Sequence, residues 1–196
     1  MIADALIVLG GYLLGSIPFG FLIPRLVRGD DIRLHGSGNV GASNVWRVYG
    51  RSLGIPVALL DVAKGFVPAL VGLRVAGDWV GVLAGAAAMI GHARPVWLGF
   101  SKGGKMVATA GGVAFALTPL AALGCLVVWV ATFAAFRYAS AASIVAACAL
   151  PVLSLAFGAS KAGWIGWSPE FLGLSSEHRG SKLFDLIHGA ASLPAP

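Results

Sequence analysis

Long uncharged stretches alternate with short polar ones along this chain. Residues 5–24 carry no charge, and about 20 apolar residues are enough to cross the hydrocarbon core of a bilayer. The pattern predicts a first span from Leu6 to Leu26. Residues 52–73 predict a second, interrupted by Asp61 and Lys64. Residues 79–93 predict a third, short but bracketed by Trp79 and Trp97, as aromatic side chains at the two interfaces would be. Between Lys105 and Arg137 lie 31 uncharged residues, more than one untilted span needs. Thr118–Pro119 is the natural break, because proline has no N–H for the helical ladder and restricts the residue before it. Residues 138–160 predict a further span. Beyond Lys161 the pattern fails: Trp164 to Leu174 is apolar but holds Ser168, Pro169 and Glu170. Residues 1–160 are therefore expected to form a membrane-embedded domain, and 161–196 an atypical tail that does not cross.

Composition agrees. Of 196 residues, 58% are hydrophobic and only 11% charged, with a mean hydropathy of +0.86, whereas roughly a quarter of a soluble domain is charged. The apolar stretches are long and continuous rather than alternating in short strands, which argues against a β-barrel. The expected fold class is all-α, a polytopic membrane helix bundle of five to six spans. Met1–Ala5 offers no basic residue for a signal peptide, so the first stretch is expected to stay in the membrane.

Charge sets the expected orientation. The loop from Arg25 to Arg51 holds Arg25, Arg28, Arg33, Arg47 and Arg51 against Asp30 and Asp31, and the loop from His92 to Lys105 holds Arg94, Lys102 and Lys105 with no acid. The intervening connection has only Arg74 and Asp78. Both basic loops are expected on the cytoplasmic side, with the N-terminus outside. The tail begins outside if 106–136 is two short spans and inside if it is one tilted span. Cys125 and Cys148 lie in apolar spans and read as small core residues. His35, His92, His178 and His188 are scattered and show no metal-ligand spacing.

The first loop reads His35-Gly36-Ser37-Gly38-Asn39-Val40-Gly41-Ala42-Ser43-Asn44-Val45-Trp46-Arg47. Its glycines fit G-x-G-x-x-G, but a dinucleotide fold needs a parallel sheet around that motif, and here a membrane span follows. The physics that survives is anion binding. Glycines let backbone N–H groups form a concavity, and a helix starting near Ala42 aims its positive end at the same place. Ser37, Asn39 and Asn44 add neutral donors, and Arg47 adds a bidentate phosphate fork. The bland alternative is a surface loop with helix-capping side chains.

The second loop reads Gly99-Phe100-Ser101-Lys102-Gly103-Gly104-Lys105-Met106-Val107-Ala108-Thr109. Gly99 to Lys105 fits most of a Walker A motif, but Met106 stands where magnesium needs a hydroxyl. Lysines beside two glycines still point to phosphate; a purely topogenic basic loop explains the lysines but not the glycines. Asp61 and Lys64 lie three apart on one helical face inside a span, where charge is costly, so they should face the bundle interior and pair. A structural clamp beneath the first loop and a proton relay are both open. His92 either orients a ligand or caps the third span.

With these loops the chain resembles the acyl-phosphate:glycerol-3-phosphate acyltransferase family of bacterial phospholipid synthesis. Gly36 to Arg47 match its G-S-G-N-x-G-A-T-N-x-x-R motif, with Ser43 for threonine. Gly91, His92, Pro95 and Val96 match a G-H-x-x-P-V lead-in, and Lys102 to Thr109 match K-G-G-K-G-V-A-T, with Met106 for glycine. Leu60-Asp61 with Lys64-Gly65, Ser16-Ile17-Pro18 and Arg137-Tyr138 also fit, so the resemblance runs from Tyr12 to Leu155. Ser101 is one residue more than the pattern has. The family pattern also has one more span and a motif near H-R-x-N-I-x-R-L, of which His178-Arg179 is the remnant here.

The resemblance implies transfer of a fatty acyl group from acyl phosphate to glycerol 3-phosphate, giving lysophosphatidate, in the bacterial inner membrane. It implies catalytic roles for Ser37, Asn39, Arg47 and Lys105. Phosphate binding would fall to Gly36, Gly38, Gly41, Asn44, Lys102, Gly103, Gly104 and Thr109, with His92, Asp61 and Lys64 as further candidates. No cofactor, metal or nucleic-acid partner is implied; the partners are the two substrates and membrane lipid. A catalytically impaired homologue and a small-anion transporter are the alternatives, and the transporter would be expected to show inverted repeats or helices broken at the midplane.

Overall fold

The computed structural model describes residues 1–158, so the expected tail over 161–196, with His178 and Arg179, lies outside the described residues. The described residues form eight α-helices and no strand: α1 (Ile2–Gly15), α2 (Phe19–Arg28), α3 (Ala42–Tyr49), α4 (Arg51–Ala76), α5 (Asp78–Ala93), α6 (Val107–Leu117), α7 (Pro119–Phe136) and α8 (Ala139–Gly158). The chain is an all-α, polytopic membrane helix bundle. α4, α7 and α8 are each long and apolar enough to cross a membrane.

The first expected span is not one continuous helix. It breaks between α1 and α2 with a 41° bend. Pro18 supplies no N–H and biases Ile17 away from helical backbone, while the Ser16 hydroxyl donates back to the Tyr12 carbonyl at 2.8 Å. The α1–α2 pair together meets the length and hydropathy of a span. The break expected at Thr118–Pro119 is present: α6 ends at Leu117 and α7 starts at Pro119. α5 has 16 residues and α6 only 11; at 1.5 Å per residue the latter covers about half of a 30 Å core.

Small residues let these helices approach closely, the usual basis of packing where lipid competes with every apolar side chain. A Cβ on Gly11 would meet the Ala84 carbonyl oxygen at 2.6 Å, and one on Gly15 would collide with the Ala88 backbone, so α1 lies directly against α5. Gly65 faces Thr109, and Gly112 faces the Val62 carbonyl, which seats α6 on α4 in the same way. α7 and α8 form a hairpin in which the Trp129 indole donates to the Ser143 hydroxyl at 3.1 Å. Large apolar side chains such as Leu59, Val127, Val152 and Leu155 point outward, as a lipid-facing surface requires. Both cysteines are free.

Candidate active site

The first loop is folded by its own side chains. α2 ends at Gly29, held in the left-handed region. Asp30 then receives three donors: the Asp31 N–H at 2.8 Å, the His35 ring at 2.9 Å and the Tyr49 hydroxyl at 2.7 Å. Asp31 accepts from the Arg33 N–H at 3.0 Å and pairs with its guanidinium. These partners set the acidity of the cluster. The Tyr49 bond, then that of His35, holds the Asp30 carboxyl below its ordinary range; Arg33 brings Asp31 down to about 2. Burial, reinforced by Asp30, pushes the Tyr49 phenol up to about 12. Ile32, fully buried with Val40, Val45, Leu53 and Val57, anchors the loop to α3 and α4.

Asn44 organises the glycine-rich part from within. It is buried, accepts from the Ser37 N–H at 2.9 Å, and donates to the carbonyls of His35 at 3.1 Å and Asn39 at 2.9 Å. Its amide is thus occupied by the loop itself. Gly36 and Gly38 have positive φ, and a Cβ on Gly36 would strike the Asn44 side chain. Asn39 accepts from the Gly41 N–H at 2.7 Å and donates to the Gly103 carbonyl at 3.1 Å. Gly41 caps α3, whose N-terminus has no side-chain cap. The Ser37 side chain and Arg47 are exposed and have no hydrogen-bond or charge partner among the described residues.

The second loop folds back onto the end of α5. The Gly103 and Gly104 N–H groups donate to the carbonyls of Ala93 at 2.9 Å and His92 at 3.0 Å. They are therefore not the free phosphate cradle expected of adjacent glycines; they give close approach instead. A Cβ on Gly104 would land on the His92 ring. Lys102 and Lys105 are exposed and unpaired among the described residues, so two free ammonium groups sit on a loop whose backbone is fixed. Met106 closes the loop with φ +63° before α6 begins.

The remaining candidates lie beneath. Thr109 is fully buried in the first turn of α6 against Gly65, away from the exposed faces of the loops. Asp61 and Lys64 are both buried, with Nζ 2.9 Å from Oδ1, an ion pair by distance that falls outside hydrogen-bond geometry. His92 is buried with Nδ1 3.6 Å from the same oxygen. The structure thus brings the two loops together through Asn39 and Gly103, and through Gly41, whose Cβ position lies 4.0 Å from the Gly104 Cα. Among the described residues it leaves exposed and unpartnered Ser37 and Arg47 on the first loop and Lys102 and Lys105 on the second, with Ser43, Ser101 and the buried Thr109 hydroxyl also without side-chain partners. Sequence reasoning missed Asp30 and Tyr49; an acid directly after a helix-ending glycine is the only signal they offered.

Residues 5–177 match the family described as glycerol-3-phosphate acyltransferase, past the Leu155 at which the motif resemblance stopped. The glycerol-3-phosphate acyltransferase of Desulforudis audaxviator is 48% identical over 153 residues, covering 78% of this chain and 75% of that one. The enzyme of the same name from Myxococcus xanthus is 51% identical over 142 residues, covering 71% and 73%. Among solved structures, PlsY (YgiH), an integral membrane glycerol 3-phosphate acyltransferase in its glycerol 3-phosphate form, superposes with a TM-score of 0.76 at 40% identity. That match covers 95% of this chain and 93% of PlsY. The lysophosphatidic acid form of PlsY gives 0.73 at 38% identity. With a family match over most of its length and relatives near half identity, the chain belongs to the glycerol-3-phosphate acyltransferase family.

Proposed function

We propose that the two joined loops hold the phosphates of glycerol 3-phosphate and of an acyl phosphate side by side. The chain transfers a fatty acyl group to glycerol 3-phosphate, giving lysophosphatidate for phospholipid synthesis. The observation that carries the site assignment is the Asn39–Gly103 bond, which brings the loop bearing Ser37 and Arg47 against the loop bearing Lys102 and Lys105.

An acyl phosphate is already an activated anhydride, so the chemistry asks for alignment and charge stabilisation rather than a protein nucleophile. The glycerol hydroxyl oxygen bonds to the acyl carbon, the bond from that carbon to the phosphate oxygen breaks, and phosphate leaves carrying the negative charge. The hydroxyl proton passes to a phosphate oxygen of the substrates. Arg47 offers a planar fork for a phosphate; Lys102 and Lys105 offset the charge that builds on the leaving group. Ser37 and the uncapped N-terminus of α3 complete the donors, with Gly36, Gly38 and Gly41 shaping the backbone around them. Beside the α1–α2 break, Ile17, Pro18, Phe21, Leu22, Trp97 and Leu98 line an apolar groove of about 330 Å³, a place for the first carbons of the acyl chain. The basic loops lie on the cytoplasmic face of a bacterial inner membrane, with the N-terminus outside.

The test is direct. Purified protein in lipid vesicles, given acyl phosphate and glycerol 3-phosphate, forms lysophosphatidate and inorganic phosphate in equal amounts. Phosphate uptake or binding without lysophosphatidate would overturn the reading.

A further inference from the structure

The buried Asp61–Lys64 pair touches neither exposed loop, yet it stands between two elements that shape the site. On one side the Lys64 ammonium donates to the Ile17 carbonyl at 2.8 Å and lies 5.6 Å from the centre of the Phe19 ring, so it pins the break between α1 and α2. On the other, Asp61 faces Nδ1 of His92. His92 in turn meets the second loop twice: its carbonyl accepts from Gly104, and its ring fills the space that a side chain on Gly104 would need.

We propose that Asp61 and Lys64 are positioning residues for acyl transfer: they hold His92 at a fixed height under the Lys102–Lys105 loop and so set where its ammonium groups meet phosphate. This rests on the reading of that loop as phosphate-holding. A charge pair inside hydrocarbon is costly wherever it is placed, and α4 would span without it. A continuous run of contacts from helix break to loop gives it a task. α4 passes beneath both loops, and its pair is anchored at three points, so a change at position 64 is felt at position 104.

The test uses the full chain in detergent micelles. Single substitutions strand a buried charge, so the pair is neutralised together as Asp61→Asn/Lys64→Met, which keeps both side-chain volumes. Hydrogen exchange of residues 99–106, read without substrate, reports the loop directly. The Gly103 and Gly104 amides are expected to exchange about 10-fold faster than in the parent protein, since their bonds to α5 would open more often. The expected fall in kcat is about 100-fold, the scale of a misplacement near 1 Å. The charge swap Asp61→Lys/Lys64→Asp keeps an ion pair but moves the ammonium away from Ile17, and is expected to be as impaired as the neutral pair. A swapped pair with parental kcat would reduce the residues to a structural ion pair and overturn the proposal. So would parental exchange rates in the neutral variant, or its failure to insert. Faster exchange with unchanged turnover would overturn the phosphate-holding role of the second loop instead.

Discussion

The Asn39 side-chain amide donates to the main-chain carbonyl of Gly103 across 64 residues of sequence, at 3.1 Å. The same side chain accepts from the Gly41 N–H at 2.7 Å, so one amide fixes the start of α3 and the register between the two loops. Both of its contacts are to backbone. Its orientation therefore does not depend on the rotamer of any partner, and the spacing of the cations on the two loops inherits that rigidity.

Asn39→Asp separates these two roles. The carboxylate still accepts from Gly41 but has no donor for the Gly103 carbonyl, and it brings negative charge toward a phosphate site. We expect kcat/KM for both substrates to fall by about 100-fold, with insertion and thermal stability close to those of the parent. Steady-state kinetics on matched amounts of folded protein check it; parental kinetics would break the link between loop register and catalysis.

Arg47→Ala and Lys105→Ala remove unpaired, exposed cations, so neither leaves a buried group stranded. Each is expected to lower kcat by at least about 100-fold, as loss of one transition-state donor does. Arg47→Lys keeps the charge but loses the planar fork, and should recover only part of the rate. Near-normal turnover in either alanine variant, at matched membrane levels, would remove that residue from the site.

The Asp30 cluster predicts a pH window for the order of the first loop. Asp30 and Asp31 have folded-state acidities below the ordinary 3.8. The stability they lend is complete above that value and is lost as pH falls through their folded values, toward about 2 for Asp31. Tyr49 is shifted up to about 12, so its contribution is complete below its ordinary value of 10.0 and is lost as pH rises through about 12. Hydrogen-exchange protection of residues 29–41, corrected for the intrinsic pH dependence of amide exchange, should stay flat between those limits and fall outside them. Tyr49→Phe should remove the alkaline limb and weaken the acid one, which then rests on Asp31 and on the His35 bond to Asp30.

Much of the bundle could be read from hydrophobic length alone. The second span and the division at Thr118–Pro119 depend on local rules about apolar runs and proline, and the structure follows them; where the third span was expected stands the 16-residue α5, which is not among the helices long and apolar enough to cross. The expected Asp61–Lys64 pairing needed only the cost of charge in lipid, and the pair is there. The α1–α2 break was missed because residues 5–24 are uncharged throughout, and hydropathy does not register a change of direction at Pro18. In the loops, residue types gave the chemistry but not the aim. Asn44 reads as a ligand donor and instead holds its own loop, and the Gly103 and Gly104 amides turn to α5. Those outcomes depend on what lies across the fold, as does the seating of Gly11 and Gly15 on Ala84 and Ala88.

Gly104→Ala tests close packing at the second loop. Gly104 does not have positive φ, so the backbone itself would accept alanine; the obstacle is the His92 ring. The methyl group must push the ring toward Asp61 or lift the loop from α5. We expect activity to be lost with little change in expression. Adding His92→Ala makes room for the methyl group and should restore the loop's amide protection, while turnover depends on whatever else His92 supplies. Full activity of Gly104→Ala alone would mean that the loop tolerates displacement and does not place its lysines.

Met106 gives a prediction of opposite sign. It occupies the left-handed region at φ +63°, at the position where the resembling motif carries glycine. An L side chain there costs on the order of 1–2 kcal/mol, which glycine avoids. Glycine also gains freedom in the unfolded chain, which takes back roughly 0.4–1 kcal/mol. Met106→Gly should therefore stabilise the protein by up to about 1.6 kcal/mol. The loop path is unchanged, because the Gly103 and Gly104 bonds to α5 do not involve the side chain at 106. Activity should stay near the parental level, while Met106→Ala, which keeps the strain and loses side-chain contacts, should be destabilised. Thermal unfolding in the same detergent, with turnover measured alongside, distinguishes the three proteins. A Met106→Gly variant less stable than the parent would show that contacts of the methionine side chain outweigh its backbone strain.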